Sequence, residues 1–182
     1  MVDLKLPKLS AVLIPVYRDA DDVRIVLIER GAGGMHGGQV ALPGGKPEPG
    51  DASLLDTALR EAEEETGLLR SQVTVLAALD PVDTRTSGFR VHPFLARVPG
   101  DVCYRPRDGE VAAVFTASAR RILDPASRCT RTLDFRGWAE PQSVECVLLE
   151  DHRLLWGLTL RILDPLLPRL LAGEWPAIGW RR

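Results

Sequence analysis

The sequence predicts a mixed α/β fold in which helices pack on a mixed or antiparallel sheet. Short segments rich in β-branched and apolar residues outnumber the helical segments, and short turns join many of them. Apolar residues make up 45% and charged residues 26% of the 182 residues, which is typical of a soluble globular protein. A chain of this length can bury a sizeable core, so we expect a single domain over residues 1–182.

The individual elements follow from hydrophobic periodicity and from turn residues. In chain order, strands are predicted at Ala11–Tyr17, Arg24–Glu29, Val73–Leu79, Arg90–Val98, Val111–Phe115, Thr130–Phe135 and Val144–Leu149. Helices are predicted at Ser53–Thr66, at Ala117–Leu123 and, from the apolar spacing, at about 154–171. We expect Pro165 and Pro168 to kink or split the last helix, because proline lacks the amide hydrogen. Five glycines within Gly31–Gly38 predict a mobile loop.

Composition also restricts the partners and the location. The chain has 23 basic and 25 acidic side chains and a formal net charge of −2, so no strongly basic field is present to bind nucleic acid or a membrane surface. The apolar run Ala11–Val16 is too short for a signal peptide, and no run approaches the ~20 residues of a membrane span. We therefore expect a cytoplasmic protein with neither a nucleic-acid nor a membrane partner.

The cysteines indicate neither a zinc site nor a disulfide framework. Cys103, Cys129 and Cys146 are separated by 26 and 17 residues, without a Cys-x-x-Cys pair or a nearby histidine pair. They are predicted to be small apolar fillers in a reducing compartment.

Three glutamates share one face of the helix predicted at Ser53–Thr66. Glu61, Glu64 and Glu65 stand at positions i, i+3 and i+4, so their carboxylates are expected to crowd one exposed strip. Like charges at this spacing repel, and the C-terminal end of a helix disfavours anions. A hard cation, Mg²⁺ or Mn²⁺, would relieve the conflict because it takes carboxylate oxygens as ligands. A merely solvated acidic face is the alternative that this pattern alone leaves open.

Residues on either side of the acidic face favour the metal site. Gly44 and Gly45 allow the backbone to approach a ligand closely, and Gly67 is suited to end the helix. Arg60 can pair with Glu64 one turn further on. An apolar stripe on the other side of the helix is predicted to pack on the sheet; it consists of Leu55, Ala58, Leu59 and Ala62.

The run from Gly45 to Leu68 resembles the Nudix box, Gly-x5-Glu-x7-Arg-Glu-U-x-Glu-Glu-x-Gly-U, in which U is an aliphatic residue. Residues 60–68 fit the second half at every constrained position, with Ala62 as a small aliphatic residue. The first half departs, because the sixth residue after Gly45 is Asp51 rather than Glu and eight residues separate it from Arg60. Asp51 is therefore either the first acid of the box or a helix N-cap, and Ser53 is a competing capping candidate.

This resemblance implies a Nudix-like α/β/α sandwich with a mixed sheet and a metal-dependent pyrophosphohydrolase. It implies that Mg²⁺ or Mn²⁺ is held by Glu61 and Glu65 together with the Gly45 carbonyl, and that Glu64 is a third ligand or orients the attacking water. Glu110 is the candidate for a further carboxylate from a loop, with a plain surface acid as its alternative. Family resemblance also favours a homodimer. The expected catalytic set is Arg60, Glu61, Glu64, Glu65 and Glu110; the expected metal set is Gly45, Glu61, Glu64 and Glu65.

Three features are similar to the coenzyme A pyrophosphatase branch of the family. They are the insertion that gives Gly-Gly-x5-Asp-Ala-Ser, the run Gly38–Gly45 that reads Gly-Gln-Val-Ala-Leu-Pro-Gly-Gly, and the segment Leu155–Ile162. Three others depart from it: Gly34 stands where that branch has Arg, Leu42 replaces its Phe, and Leu27–Arg30 replaces its Leu-Leu-Thr opening.

The expected substrate is a nucleoside diphosphate derivative. Coenzyme A or a derivative, cleaved to 3′,5′-ADP and 4′-phosphopantetheine, is the first expectation. ADP-ribose or another nucleoside diphosphate is the alternative, and a non-catalytic nucleotide-sensing domain is the rival of another class. Arginine suits the 3′-phosphate of coenzyme A. The substrate-binding candidates are Arg30, Arg85, Arg90 and Phe89, each with an ordinary surface or core role as the alternative.

Overall fold

The computed structural model describes residues 6–33, 37–84, 87–134 and 139–179. The strands are β1 Lys8–Asp19, β2 Asp22–Arg30, β3 Val40–Ala41, β4 Gly44–Gly45, β5 Thr74–Ala78, β6 Val82–Asp83, β7 Phe89–Arg97, β8 Val111–Ser118, β9 Arg128–Leu133, β10 Gln142–Leu148 and β11 Leu154–Trp156. The helices are α1 Leu54–Thr66, α2 Ala119–Leu123 and α3 Gly157–Leu171, and three short 3₁₀ turns lie at Arg70–Gln72, Pro125–Ser127 and Pro176–Ile178. The predicted α/β class is confirmed.

The main sheet is mixed, as predicted. Its path is β3-β2-β1-β7-β5, and β4 pairs with β1, β6 with β7 and β8 with β2. The central strands β1 and β7 are parallel, whereas β1 and β2 are antiparallel. A second, antiparallel sheet has the order β11-β10-β9. This second sheet was not predicted, because periodicity identifies strands but not the partners with which they pair.

Helices and the second sheet cover the two faces of the main sheet. Along β1, Ala11 and Leu13 belong to the apolar cluster that contains the buried residues of α1. The alternate residues Ile14 and Val16 belong to the larger cluster that contains residues of α2, α3 and the second sheet. Successive side chains of a strand point to opposite faces, so β1 supplies both halves of the core.

Helix α1 forms as its local sequence predicts. Ser53 is the N-cap, and its hydroxyl accepts a hydrogen bond from the backbone N–H of Asp56. The helix ends at Gly67, whose φ of 72° is left-handed. The predicted apolar stripe packs on the sheet: Ala58, Leu59 and Ala62 are buried and Leu55 is half-buried.

The C-terminal region departs from the prediction. Residues Leu154–Trp156 form β11, and α3 is continuous over Gly157–Leu171 with Pro165 and Pro168 inside it. Of the two predicted effects of the prolines, the split is therefore wrong, and the kink stays a prediction. Pro165 has no N–H to donate to the carbonyl of Arg161, four residues earlier. Both prolines and Arg161 are exposed, so water can hydrogen-bond to that carbonyl instead. Six buried aliphatic side chains hold α3 against the core: Leu160, Ile162, Leu163, Leu166, Leu167 and Leu170.

Smaller differences concern the ends of elements. Ala117 and Ser118 continue β8 instead of starting α2, and the short strand β6 was not predicted. Phe135, the last residue of one predicted strand, and residues 34–36 of the predicted glycine loop lie outside the described residues. Over the part of the chain that is described, no helix is both long enough and apolar enough to traverse a bilayer.

Candidate active site

Asp51 anchors the arginine of α1. The Arg60 guanidinium donates from Nε to Asp51 Oδ1 over 3.0 Å and from Nη2 to Asp51 Oδ2 over 3.1 Å. The same carboxylate accepts from the Thr57 hydroxyl and from the backbone N–H of Glu48. Mainly because of Arg60, the pKa of Asp51 lies well below its usual range. Ser53 is the N-cap, so Asp51 is the acid that fixes Arg60 and closes the loop before α1.

Arg60 in turn joins that loop to the glutamates of α1. Its Nη2 donates to the Lys46 carbonyl over 3.0 Å. Its Nη1 lies 3.3 Å from Glu61 Oε1 and 3.4 Å from Glu64 Oε2, and the second of these is the predicted i, i+4 pair. One half-buried acid, Asp51, thus positions the Arg60 guanidinium, which contacts two of the three predicted site carboxylates.

Gly44 and Gly45 bring backbone against these carboxylates. As β4, they pair with Val12 and Ala11 of β1. A Cβ on Gly44 would lie 2.3 Å from the Ala11 carbonyl oxygen, and a Cβ on Gly45 would lie 2.1 Å from Glu61 Oε1. At Gly44 the obstacle is the backbone of β1, whereas at Gly45 it is the Glu61 carboxylate, which would have to move away from the strand. That these glycines let the backbone approach a bound ligand stays a prediction.

Glu65 is buried at the centre of the site. The residue is 5% exposed, and its Oε2 accepts a hydrogen bond from the Gly44 N–H over 2.9 Å. Burial, with smaller contributions from Glu61 and Glu110, raises the pKa of Glu65 to about 7, although the Gly44 N–H and Arg30 act in the opposite direction. The expectation of one exposed strip of three glutamates is therefore wrong for Glu65.

The loop that carries the predicted acid Glu110 contacts the C-terminal end of α1. The backbone N–H groups of Arg105 and Arg107 donate to the carbonyls of Thr66 and Glu65, which docks the loop on the end of α1. Nothing local in the sequence marks these contacts, because they join segments about 40 residues apart, as the 43-residue separation of Arg107 and Glu64 illustrates.

Arg107 also connects Glu64 to the predicted loop acid. Its Nη1 donates to Glu64 Oε2 over 2.9 Å and lies 3.2 Å from Glu110 Oε2. Glu110 thus lies close to the glutamates of α1, although its side chain is 60% exposed. Its role as the loop carboxylate stays a prediction. Glu64 differs from Glu61 and Glu65, because its carboxylate faces two guanidinium groups, those of Arg60 and Arg107.

The donor chemistry around Glu61 and Glu65 suits a hard divalent cation. Two carboxylates and a backbone strand carrying carbonyls are the oxygen ligands that Mg²⁺ and Mn²⁺ prefer. Burial raises the pKa of Glu61, and Glu61 in turn raises that of Glu65, so a cation would remove a real electrostatic conflict. Within the described ranges, no three His, Cys, Asp or Glu side chains are already gathered as a metal site. The Glu64 carboxylate is instead paired with Arg60 and Arg107.

The four predicted substrate residues have different surroundings. Arg30 forms no ion pair within the described part of the chain, and its charge lowers the pKa of Glu65, so it lies towards the acidic centre. Arg90 is held by two hydrogen bonds to Asp83, of 2.8 and 3.0 Å. Arg85 lies outside the described residues.

Phe89 is half-buried and has cations over its ring. Lys46 Nζ lies 5.4 Å and Lys8 Nζ 5.7 Å from the ring centroid. Lys46 follows Gly45 directly, so it connects Phe89 to the acidic site. Sequence reasoning missed Lys46, and its position immediately after the Gly44-Gly45 pair is the signal that was available.

Comparison with known proteins decides the family. The model of the NUDIX domain matches residues 7–145, which is most of the chain. The chain belongs to the Nudix family. The predicted membership and the predicted enzyme class, a Nudix pyrophosphohydrolase, are thereby confirmed.

Named relatives agree with this assignment. The Nudix hydrolase NudL of Yersinia enterocolitica is 37% identical over 156 residues, which cover 85% of this chain and 77% of the relative. NudL of Citrobacter koseri is 39% identical over 163 residues, covering 86% and 80%. A MutT/nudix family protein from Enterococcus faecalis has a similar structure, with a TM-score of 0.62 over 98% of this chain and 69% of that one. At 18% identity, this last likeness confirms the Nudix fold alone.

Proposed function

We propose that this Nudix pyrophosphohydrolase uses Mg²⁺ or Mn²⁺ to cleave the diphosphate of coenzyme A or a derivative of it. The products would be 3′,5′-ADP and 4′-phosphopantetheine. The observation that carries the proposal is the pair of desolvated carboxylates, Glu61 and Glu65, against the backbone of Gly44 and Gly45. Such a pair is unfavourable without a cation, and it lies where the Nudix box predicts the metal ligands.

In this proposal Glu61, Glu65 and the Gly45 carbonyl hold the metal. The bound cation would neutralise diphosphate oxygens and lower the pKa of a bound water. Glu64 is assigned the orientation of the attacking water, because Arg60 and Arg107 hold its carboxylate and leave it 38% exposed. Glu110 is assigned the role of a further carboxylate beside Glu64, because Arg107 contacts both side chains. Arg60 is a positioning residue, since its guanidinium fixes Glu61 and Glu64.

Cations near this centre support a polyanionic substrate. Arg30 is without an ion-pair partner in the described ranges and lies towards Glu65, so we assign it to a phosphate of the diphosphate group. Lys46 and Phe89 offer an ammonium group beside an aromatic ring, which suits a phosphorylated adenosine. Arg90 is occupied by Asp83, so Lys46 is preferred to Arg90 for the 3′-phosphate of coenzyme A. Arg85 stays a prediction.

Coenzyme A is favoured over other diphosphates by the run Gly38–Gly45, although the departures at Gly34 and Leu42 weaken the resemblance. The test is incubation of the pure protein with Mg²⁺ or Mn²⁺ and, in parallel, coenzyme A, dephospho-coenzyme A, ADP-ribose and a dinucleoside polyphosphate. We expect the highest kcat/KM for coenzyme A and a loss for the dephospho compound. Equal rates for that pair would exclude recognition of the 3′-phosphate, and preferential cleavage of ADP-ribose would reassign the substrate.

The same panel separates an enzyme from a nucleotide sensor. Calorimetric binding of a nucleotide without product formation, with either metal, would support the non-catalytic alternative.

The homodimer, the cytoplasmic location and a single domain over residues 1–182 stay predictions. Light scattering after size-exclusion chromatography tests whether the protein is a homodimer.

A further inference from the structure

Two cysteines distant in sequence face each other across the second sheet. Cys129 of β9 and Cys146 of β10 are direct partners in the antiparallel register. Their Sγ atoms lie 3.1 Å apart, and Cys146 Sγ lies 3.2 Å from the Cys129 carbonyl oxygen, to which its thiol can donate. The 16 intervening residues concealed this pair from sequence reasoning, because only the pairing of β9 with β10 brings the cysteines together.

The two thiols have unequal surroundings. Cys129 is half-buried on β9, which is an edge strand of the β11-β10-β9 sheet, whereas Cys146 on the central strand is 1% exposed. Burial and the neighbouring Cys129 raise the pKa of Cys146 to about 11. An oxidant in solution therefore reaches Cys129 first, and Cys146 remains a protected thiol directly behind it.

Little movement separates this pair from a covalent bond. A disulfide needs an S–S separation of about 2.05 Å and a Cα–Cα distance that cross-strand partners already provide. The sulfurs must close by about 1 Å, which rotation about the Cα–Cβ bonds can supply without moving either strand.

We propose that Cys129 and Cys146 form a reversible oxidation site that a small peroxide converts to an intramolecular disulfide. The Cys129 thiolate attacks the peroxide O–O bond, giving a sulfenic acid and releasing water when the oxidant is hydrogen peroxide. The Cys146 sulfur then attacks the Cys129 sulfur, and the hydroxyl group leaves as a second water with the Cys146 proton. Two thiols and one hydrogen peroxide thus give one disulfide and two waters. A dithiol restores both thiols by exchange.

The bond would act on the C-terminal part of the fold. It would join β9 to β10, and β10 pairs with β11, which leads directly into α3. Closing this loop restricts the unfolded chain, so the oxidised protein should be the more stable form. The inference is independent of the proposed substrate and metal.

The test uses the full chain carrying Cys103→Ser, which removes the exposed third cysteine. After brief treatment of the folded protein with hydrogen peroxide, free thiols are blocked with N-ethylmaleimide and the protein is digested with trypsin. We expect peptide 129–131 linked to peptide 137–153, and its loss after treatment with dithiothreitol. We also expect a Tm rise of about 5 °C on oxidation.

The matched control is Cys103→Ser/Cys129→Ser, in which the half-buried cysteine is replaced and the core position is kept. Its Tm should not rise with peroxide, and its remaining thiol should be blocked only slowly. The proposal is overturned if both cysteines stay free in the folded protein at a peroxide dose that oxidises Cys103 in the wild type. It is also overturned if the linked peptide forms faster in urea than in buffer.

Discussion

Helices α1 and α3 pack on opposite faces of the same sheet. Helix α1 contributes charged groups, whereas α3 contributes apolar burial. Helix α1 ends in a crowd of carboxylates, one of which is buried with its pKa raised to about 7. Helix α3 buries six aliphatic side chains and keeps its two prolines exposed. The carboxylates of α1 lower the stability of the fold at the expected catalytic site. The apolar burial of α3 stabilises the fold and offsets that loss. Changes in α1 should therefore affect activity, and changes in α3 should affect stability.

The largest expected effect is on activity, from Glu65→Gln. We expect kcat/KM to fall at least about 100-fold, because an anionic ligand is replaced by an amide of the same shape. The Tm of the metal-free protein at pH 8 should stay unchanged or rise, since a buried charge has been removed. The matched control is Glu63→Gln on the exposed side of α1, which should leave both quantities near wild type. A large fall in the metal-free Tm would make Glu65 a structural residue.

A smaller loss of activity is expected from Asp51→Asn in the loop before α1. This variant keeps the side-chain shape but removes the charge partner of Arg60. Because Asp51 acts through Arg60, we expect metal affinity to weaken by about 10-fold and part of the lost activity to return at high Mg²⁺. An effect as severe as that of Glu65→Gln, without rescue by metal, would instead make Asp51 a direct ligand.

Helix α3 should respond in the opposite way. Leu163 is fully buried, and Leu163→Ala should lower the free energy of unfolding by about 2–5 kcal/mol and the Tm by roughly 5–15 °C. Specific activity at 15 °C, measured where the variant is still folded, should stay within about twofold of wild type. The control Leu163→Ile keeps the volume and should cost less than about 1.5 kcal/mol. A selective loss of kcat in the folded Ala variant would break the division between the helices.

The smallest effect concerns pH. The folded-state pKa of Glu65 is about 7 against an ordinary 4.5, so the folded protein binds more protons than the unfolded chain between these values. The contribution of Glu65 to the free energy of unfolding of the metal-free protein is therefore greatest below about pH 4.5, and it falls as pH rises towards 8. Between pH 5 and 8 in EDTA, we expect wild-type Tm to fall by about 5 °C relative to Glu65→Gln. Parallel Tm curves for the two proteins would contradict this sign.

The sequence predicted what local patterns can encode. The apolar stripe of α1, its glycine end and the Arg60–Glu64 pair all depend on residues within a few turns of one another. It could not predict that Arg107 would bridge Glu64 and Glu110, or that Cys129 would meet Cys146, since both depend on how distant segments pack. The predicted split of α3 was wrong, because helix propensity alone assigns proline a helix-breaking effect, whereas the burial of the aliphatic face keeps the helix continuous.

The most direct test of the central claim is a titration of the protein with Mn²⁺, followed by the electron paramagnetic resonance signal of the free ion. The wild type and Glu63→Gln should bind Mn²⁺ equally well, and Glu65→Gln should bind at least about 10-fold more weakly. Equal Mn²⁺ affinity in the wild type and Glu65→Gln would contradict the assignment of the Glu61–Glu65 face as the metal site.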